Sequence, residues 1–146
     1  MRTSRAHALF LILVFAAAAG TRAARGAEAF RIIVNPENPV GGIDRRFLTD
    51  VYFKKTTRWS NDEAIRPVDL GAGSSTRRAF SDDVLKRSVS AVKSYWQQMV
   101  FSGRGVPPPE LDSDAEVVRF VLKNRGAVGY VSGSADVAGA KIVPVR

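Results

Sequence analysis

The segment from Gly71 to Thr76 (GAGSST) holds the residue types that best suit ligand binding in this sequence. It lies between a predicted strand and a predicted helix, so its backbone N–H groups would meet the positive end of the helix dipole. Such a position binds phosphate, sulfate or carboxylate groups. The same pattern also fits a plain helix cap, which is a frequent use of serine and threonine. The candidate oxyanion-binding residues are Gly73, Ser74, Ser75, Thr76 and Arg77.

The scarcity of histidine and cysteine limits other chemistry. There is no cysteine, and the only histidine, His7, lies near the N-terminus in a segment that we expect to be removed. A histidine-based triad, a histidine general base, a thiolate site and the usual zinc sites are then excluded. A serine nucleophile would need Lys86 or another lysine as its base, and the sequence gives no indication that a lysine lies beside a serine. We predict that the protein is not an enzyme, and we expect no cofactor and no metal.

Two acidic pairs could be considered for acid–base catalysis. They are Asp82 with Asp83, and Asp112 with Asp114. Both pairs fall at or near the first turns of predicted helices, where carboxylates are favoured by the dipole in any protein. We therefore assign them a structural role.

Residues 1–29 have the three parts of a secretory signal peptide. Arg2 and Arg5 precede an uncharged apolar run over residues 9–19, and a small-residue region follows. Cleavage after Ala23 or after Ala29 fits the pattern, and an uncleaved anchor is the alternative. The apolar run is shorter than the roughly 20 residues of a membrane span, and we expect no span in the mature chain. The prediction is a periplasmic or otherwise exported protein.

Export also changes the charge of the protein. Removing residues 1–29 takes away four arginines and Glu28, and lowers the formal net charge from +8 to +5. The remaining basic pairs have no interleaved aromatic residues and no nucleic-acid motif, so we expect no nucleic-acid partner. A moderately basic surface favours anionic partners in general.

The elements that would position these residues alternate between strands and helices. Strands are predicted at residues 30–35, 65–70, 127–131 and 141–145, the second at a sheet edge because it contains Pro67. Helices are predicted at 44–54, from 74 onward, at 88–100 and from a capping box at 113 to 124. The third helix would bury one stripe, made of Val89, Val92, Trp96 and Val100. The pattern predicts one α/β domain over residues 30–146 with a partly parallel sheet.

Residues 31–132 resemble phosphate ABC transporter substrate-binding proteins, a family of periplasmic solute-binding proteins. The first resembling stretch is IIVNPENPVGGIDRRFLTDVYFKKTTRWSND, and SSTRRAF is similar to the family motif Ser-Gly-Thr-Arg-x-x-Phe. FSGRGVPPP and GAVGYV follow in the same order as in short members of the family. The resemblance implies a type II periplasmic-binding-protein-like fold, present as a single lobe with a small mixed sheet flanked by helices. It also implies phosphate or another small oxyanion as ligand and an ABC permease as partner.

The sequence departs from the family pattern at the site. Leu70 stands where members tend to carry an arginine, and Ser75 replaces the glycine of the motif. The lobe that supplies the other half of the phosphate donors has no counterpart in these residues. The resemblance implies that Ser74, Ser75 and Thr76 are oxyanion donors, whereas these departures favour the alternative of a cell-envelope interaction or scaffold protein without a ligand.

Overall fold

The computed structural model describes residues 29–146. The predicted export segment therefore lies outside the described residues, except for Ala29. Over the described range, none of the helices is both long and apolar enough to span a membrane.

The main sheet has four strands and mixed directions. In chain order the strands of the fold are β1 (Phe30–Val34), β2 (Arg66–Pro67), β3 (Asp69–Leu70), β4 (Glu110–Leu111), β5 (Ala127–Ser132) and β6 (Lys141–Val143). The sheet order is β2-β5-β1-β6, in which β1 is antiparallel to β5 and β6 while β2 is parallel to β5. A second, two-stranded sheet pairs β3 with β4 in parallel. The predicted α/β fold with a small mixed sheet is confirmed.

The predicted strand at residues 65–70 is two short strands that join the two sheets. Val68 N–H donates to Val128 O at 3.0 Å, and the next residue, Asp69, donates to Pro109 O at 2.9 Å. Successive residues therefore bond to opposite neighbours, β5 on one side and the β4 segment on the other. Pro67 has no N–H to donate, and it precedes the residues that pair with β4. The predicted edge position is right for β2 within its own sheet, but the chain gains a second neighbour two residues later.

Within residues 29–146, four helices flank the sheet. They are α1 (Arg45–Tyr52), α2 (Ser75–Phe80), α3 (Val89–Phe101) and α4 (Asp114–Lys123), and a π-helical turn at Ser81–Leu85 continues α2. Each α-helix begins where the sequence predicts, because a side chain caps its first turn: Asp44, Ser74, Ser88 and Ser113 all accept backbone N–H groups there. The π-helical turn was not predicted, and it ends at Lys86 in the left-handed conformation, with φ 54°.

The core lies on both faces of the main sheet. On one face the Phe80 ring stacks on Tyr130 at 3.9 Å between centroids, and Tyr52 packs on both. On the other face α4 lies so close to β5 that a Cβ on Gly129 would sit 2.6 Å from Val117 Cγ1. Gly129 and Tyr130 are successive residues of β5 and therefore face opposite sides of the sheet. Helix α2, which contains Phe80, thus packs on one face and α4 on the other.

Helix α3 is packed only in part. Val92 and Trp96 are buried as predicted, but Val100, predicted on the same buried stripe, is 51% exposed. Phe101 beside it is 95% exposed. The apolar spacing predicted the helix correctly. The predicted burial of Val100 in its last turn is wrong, because no other described element covers that turn.

Candidate functional site

The start of α2 leaves backbone donors open. Ser74 has an extended conformation (φ −70°, ψ 131°), and its Oγ accepts the N–H of Arg77 at 3.2 Å. Ser74 N–H donates to Gly71 O at 3.0 Å and so closes the preceding turn. The first N–H groups of a helix have no acceptor inside it. With Arg77 N–H taken by the cap, the N–H groups of Ser75 and Thr76 remain as the free donors of this first turn.

The side chains at this point are small and only partly covered. Ser75 is exposed, Ser74 is half-buried and Thr76 is 9% exposed. Ser74 Oγ uses a lone pair for the cap, so its hydroxyl proton is still able to donate elsewhere. The helical stretch runs for eleven residues, from Ser75 to Leu85, and its dipole adds positive potential at this end. The segment can therefore offer both N–H and O–H donors to an anion.

Glycine at position 73 is not required by the fold. Gly71 and Gly73 both lack the left-handed φ that favours glycine, and a Cβ at either position would meet nothing within 4 Å. The absence of side chains at these positions leaves the backbone before α2 accessible. That opening is the feature a ligand approaching the loop would use.

Arg77 is directed inward instead of toward the loop. Its side chain is 4% exposed; Nη1 donates to Leu70 O at 2.6 Å and lies 2.7 Å from Asp69 Oδ1. Glu110 Oε1 on β4 lies 3.5 Å from the same nitrogen. The guanidinium therefore ties the first turn of α2 to both strands of the smaller sheet. The carboxylates of Asp69 and Glu110 offset its positive charge, so Arg77 adds no net positive potential near the loop.

Asp69 and Tyr130 form the rest of a buried polar network. Tyr130 Oη donates to Asp69 Oδ1, and Leu70 N–H donates to the same oxygen at 3.1 Å. Burial raises the pKa of Asp69 to about 6, although Arg77 and the hydrogen bonds from Tyr130 and Leu70 act in the opposite direction. Burial, together with the nearby Asp69 carboxylate, raises the pKa of Tyr130, so its hydroxyl stays protonated and acts as a donor. Sequence reasoning missed this network because Tyr130 is 61 residues away from Asp69.

One member of each acidic pair has a structural partner. Arg45 Nη1 lies 2.7 Å from Asp83 Oδ2, and the hydrogen bond from Arg45 lowers the pKa of Asp83. Asp114 accepts the hydroxyl of Ser132 at 2.7 Å, which ties α4 to the end of β5. Within residues 29–146, no three or more His, Cys, Asp and Glu side chains come together as a metal site would require.

Comparison with known proteins gives the family. Residues 16–144 match the family model described as the PBP superfamily domain. No curated protein has significant sequence similarity to the chain.

Solved structures share the fold. An ABC-type phosphate transport receptor from Vibrio cholerae is 27% identical, with a TM-score of 0.61 over 80% of this chain and 46% of that one. A Clostridium perfringens protein with bound phosphate is 23% identical, with a TM-score of 0.60 over 80% of this chain and 44% of that one. PstS from Borrelia burgdorferi is 14% identical, with a TM-score of 0.61 over 81% of this chain and 47% of that one.

The chain spans less than half the length of each of these proteins. Its strand order, its capped α2 and the stacked core of Phe80 and Tyr130 form one compact lobe. The chain belongs to the PBP superfamily domain family, and its described residues form a single lobe with the fold of phosphate ABC transporter substrate-binding proteins.

Proposed function

We propose that this lobe binds phosphate, or another small inorganic oxyanion, at the start of α2. The observation that carries the proposal is the pair of unpaired N–H groups on Ser75 and Thr76, beside the open backbone at Gly73. Ser74, Ser75 and Thr76 are consecutive in the chain, and their hydroxyls are further candidate donors to the anion. Arg77 contributes by fixing the turn, because its Nη1 is already bonded to Asp69 and Leu70.

The similar structures support this choice of ligand. The Vibrio cholerae protein is a phosphate transport receptor, and the Clostridium perfringens structure contains bound phosphate. Helix N-termini with free N–H groups are a general solution for phosphate binding. This chain presents such a terminus on a lobe with the same fold.

The expected affinity is low. A charge-assisted hydrogen bond contributes roughly 1.5–3 kcal/mol, and immobilising a ligand costs several kcal/mol. Two N–H groups and a few hydroxyls, exposed to water on one lobe, therefore give only a small net free energy of binding. We expect a dissociation constant in the millimolar range, which corresponds to roughly −4 kcal/mol.

Isothermal titration with phosphate and with sulfate tests the proposal. The variant Ser74→Ala/Thr76→Ala removes two hydroxyls at the site, and we expect it to release less heat and bind at least about tenfold more weakly, the loss of one hydrogen bond to a charged group. Ser113→Ala is the control, because it removes an equivalent cap from α4. Absence of heat at millimolar ligand, or equal binding by the double variant and the wild type, would contradict the proposal.

The proposed setting is the cell envelope, with an ABC permease or another envelope protein as partner. Export would depend on residues 1–29, so N-terminal sequencing of the protein from fractionated cells should begin at Ala24 or Phe30. A cytoplasmic protein that retains Met1 would contradict this part.

A second function is supported by the exposed apolar residues of α3. Val100 is 51% and Phe101 95% exposed, as expected for a lobe that acts as an envelope scaffold and contacts another protein. The same titration separates the two functions. Absence of binding heat with phosphate and sulfate, together with co-purification of an envelope protein that Phe101→Ser abolishes, would favour the scaffold function.

A further inference from the structure

A cavity of about 480 Å³ opens at the edge of the main sheet, where the start of β1 and the C-terminal residues separate. Its volume falls within the range of about 300–1,000 Å³ that is usual for ligand sites. Its walls are mostly apolar and include Phe30, Ile32, Ala79, Val143 and Val145. Residues 73–77 and helix α3 do not line it, so it is separate from both surfaces considered above.

The cavity begins where β6 stops pairing with β1. The antiparallel register of these two strands ends with Ile32 opposite Val143. If the register continued for two more residues, Phe30 would lie opposite Val145. No hydrogen bond joins the backbones of Phe30 and Val145 in the structure. The cavity therefore lies where one further pair of the sheet is missing.

The backbone of Val145 is open on the side of this cavity. Ile43 N–H donates to Pro144 O, and Arg146 N–H donates to Ile43 O, both at 2.9 Å. Successive residues of an extended chain direct their N–H and C=O groups to opposite sides. Because Pro144 and Arg146 bond to Ile43, the N–H and C=O of Val145 face the other way, toward β1. Neither group has a backbone partner in the described part of the chain.

The backbone of Phe30 faces the same gap from the other wall. Val68 N–H donates to Val128 O, so the backbone groups of Val128 are directed toward β2. Those of Val131, three residues later in β5, are then directed toward β1, where Val131 lies opposite Arg31. Arg31 therefore bonds to β5. The N–H and C=O of Phe30, the residue before, point away from β5 and into the gap.

The charged groups around the cavity are engaged elsewhere. Arg45 Nη1 lies 2.7 Å from Asp83 Oδ2, so these two charges compensate each other. Arg31 follows Phe30 in the strand, so its side chain lies on the opposite face of the sheet, where it donates to Ala135 O. The cavity thus combines apolar side chains with open main-chain donors and acceptors, and it suits an uncharged occupant.

A polypeptide in the β conformation has the matching chemistry. It presents N–H and C=O groups alternately at its two edges and side chains alternately on its two faces. One residue of such a segment can bond to Phe30, and the next residue can bond to Val145. An apolar side chain of the segment can at the same time lie against Ala79 and be removed from water.

We propose that this gap binds an extended, uncharged peptide segment of another protein, which adds a strand between β1 and the C-terminal residues. Strand addition of this kind obtains affinity from main-chain hydrogen bonds and specificity from the side-chain pocket. Small β-branched residues such as valine suit both the extended backbone and the apolar walls. The inference is independent of the proposed oxyanion site, since it uses neither the loop before α2 nor its first turn.

Amide hydrogen exchange followed by NMR tests the inference with the peptide acetyl-Ser-Val-Thr-Val-Ser-amide. The protein used begins at Ala24, the longer of the two predicted mature forms, so that Phe30 has an amide N–H. We expect the amides of Phe30 and Val145 to exchange rapidly in the free protein and at least about tenfold more slowly when the peptide is bound. The amides of Ile32 and Val143, which already lie in paired strands, are the internal reference and should exchange slowly in both states.

Two changes separate strand addition from unspecific binding. The same peptide with both valine nitrogens methylated lacks two main-chain donors, and we expect it to bind at least about tenfold more weakly. Ala79→Leu fills part of the cavity from α2 and should weaken the unmodified peptide to a similar degree. Ala91→Leu, at an exposed position of α3, is the matched control and should bind the peptide as the wild type does.

Each contrary outcome overturns the inference. Slow exchange of Phe30 and Val145 before the peptide is added would show that the gap is already filled. Peptide binding without protection of these two amides would place the peptide elsewhere. Unchanged exchange up to millimolar peptide, equal binding of the methylated peptide, or an unaffected Ala79→Leu variant would also overturn it. Phosphate titrations decide the proposed function separately, because none of these changes touches residues 73–77.

Discussion

At the scale of single residues, Arg77, which was predicted to bind the ligand, forms a buried ion pair instead. Arg77 carries a charge inside the protein, and its partners Asp69 and Leu70 lie at the end of the strand that leads into the loop. The position of the donors on Ser75 and Thr76 therefore depends on an ion pair that no anion has to touch. Removing one member of a buried ion pair costs about 3–5 kcal/mol because the other charge stays uncompensated.

We predict that Arg77→Met lowers the free energy of unfolding by about 3 kcal/mol, because Asp69 then remains buried without its cation. Urea unfolding followed by circular dichroism measures the change. Arg78→Met is the control, since Arg78 is exposed and its loss should change stability by less than about 0.5 kcal/mol. Similar losses in the two variants would show that the ion pair does not hold the turn.

The pKa of Asp69 predicts a dependence of stability on pH. Its pKa is about 6 in the folded chain, above the value of about 3.9 for an unfolded aspartate. Between these values the folded state binds the extra proton, so the contribution of Asp69 to stability is complete below pH 4 and declines as the pH rises to 6. The slope cannot exceed about 1.4 kcal/mol per pH unit for one group.

Asp69→Asn should remove this decline, while Glu110, Arg77 and Tyr130 remain next to the site. Urea unfolding of both proteins at several pH values between 4 and 7 gives the comparison. If the difference in free energy of unfolding between wild type and Asp69→Asn is the same at pH 4 and pH 7, the assigned pKa is wrong.

At the scale of elements, local signals explain the helix starts that were predicted. Asp44, Ser74, Ser88 and Ser113 act within three residues of their own position, so a sequence window contains the whole cause. The capping box at Ser113 differs in one detail: Glu116 Oε2 accepts the N–H of Asp112 instead of that of Ser113. Such local chemistry can be predicted from sequence.

Other features of the elements depend on distant residues. At Asp69 the backbone hydrogen bonds change partner from β5 to the β4 segment, because Asp69 N–H donates to the carbonyl of Pro109, which is 40 positions away. Val100 was predicted as buried because apolar spacing reports which face is apolar and not whether another element covers it. The Asp69–Tyr130 contact likewise spans two distant strands. A single sequence contains no local signal for these partners.

We predict that Gly73→Ala retains or slightly raises stability, because the position has room for a Cβ and an ordinary φ. The same variant should bind phosphate more weakly, since its methyl group lies where the ligand would approach the backbone. Thermal unfolding and calorimetric titration give the two readouts. Gly41→Ala, which also has free space at the Cβ position, is the control and should bind as the wild type does. Undiminished binding by Gly73→Ala would place the anion elsewhere.

At the scale of the whole molecule, close backbone packing holds the lobe together without disulfides. Gly126 O accepts the N–H of Arg66 and the indole N–H of Trp59 at 3.0 Å, which joins the loop after α1 to the start of β5. This contact explains why an aromatic residue occurs in the polar stretch around Trp59: its ring is buried and its N–H is bonded. A Cβ on Gly126 would lie 2.0 Å from Ala64 O.

We therefore predict that Gly126→Ala is strongly destabilising, by more than about 3 kcal/mol, because backbone atoms must separate to admit the methyl group. Soluble yield and the midpoint of urea unfolding measure the effect, with Gly41→Ala again as the control. A variant as stable as the wild type would show that residues 59–66 do not pack on this end of β5 as described.

We propose that this single lobe has its oxyanion site at the start of α2. Backbone amide NMR of the protein during a phosphate titration tests it most directly, because each N–H reports its own environment. We expect saturable shifts centred on the amides of residues 73–77, with little change at Asp114 and Ala115 at the start of α4. Shifts centred on α4, or none up to tens of millimolar phosphate, would contradict it.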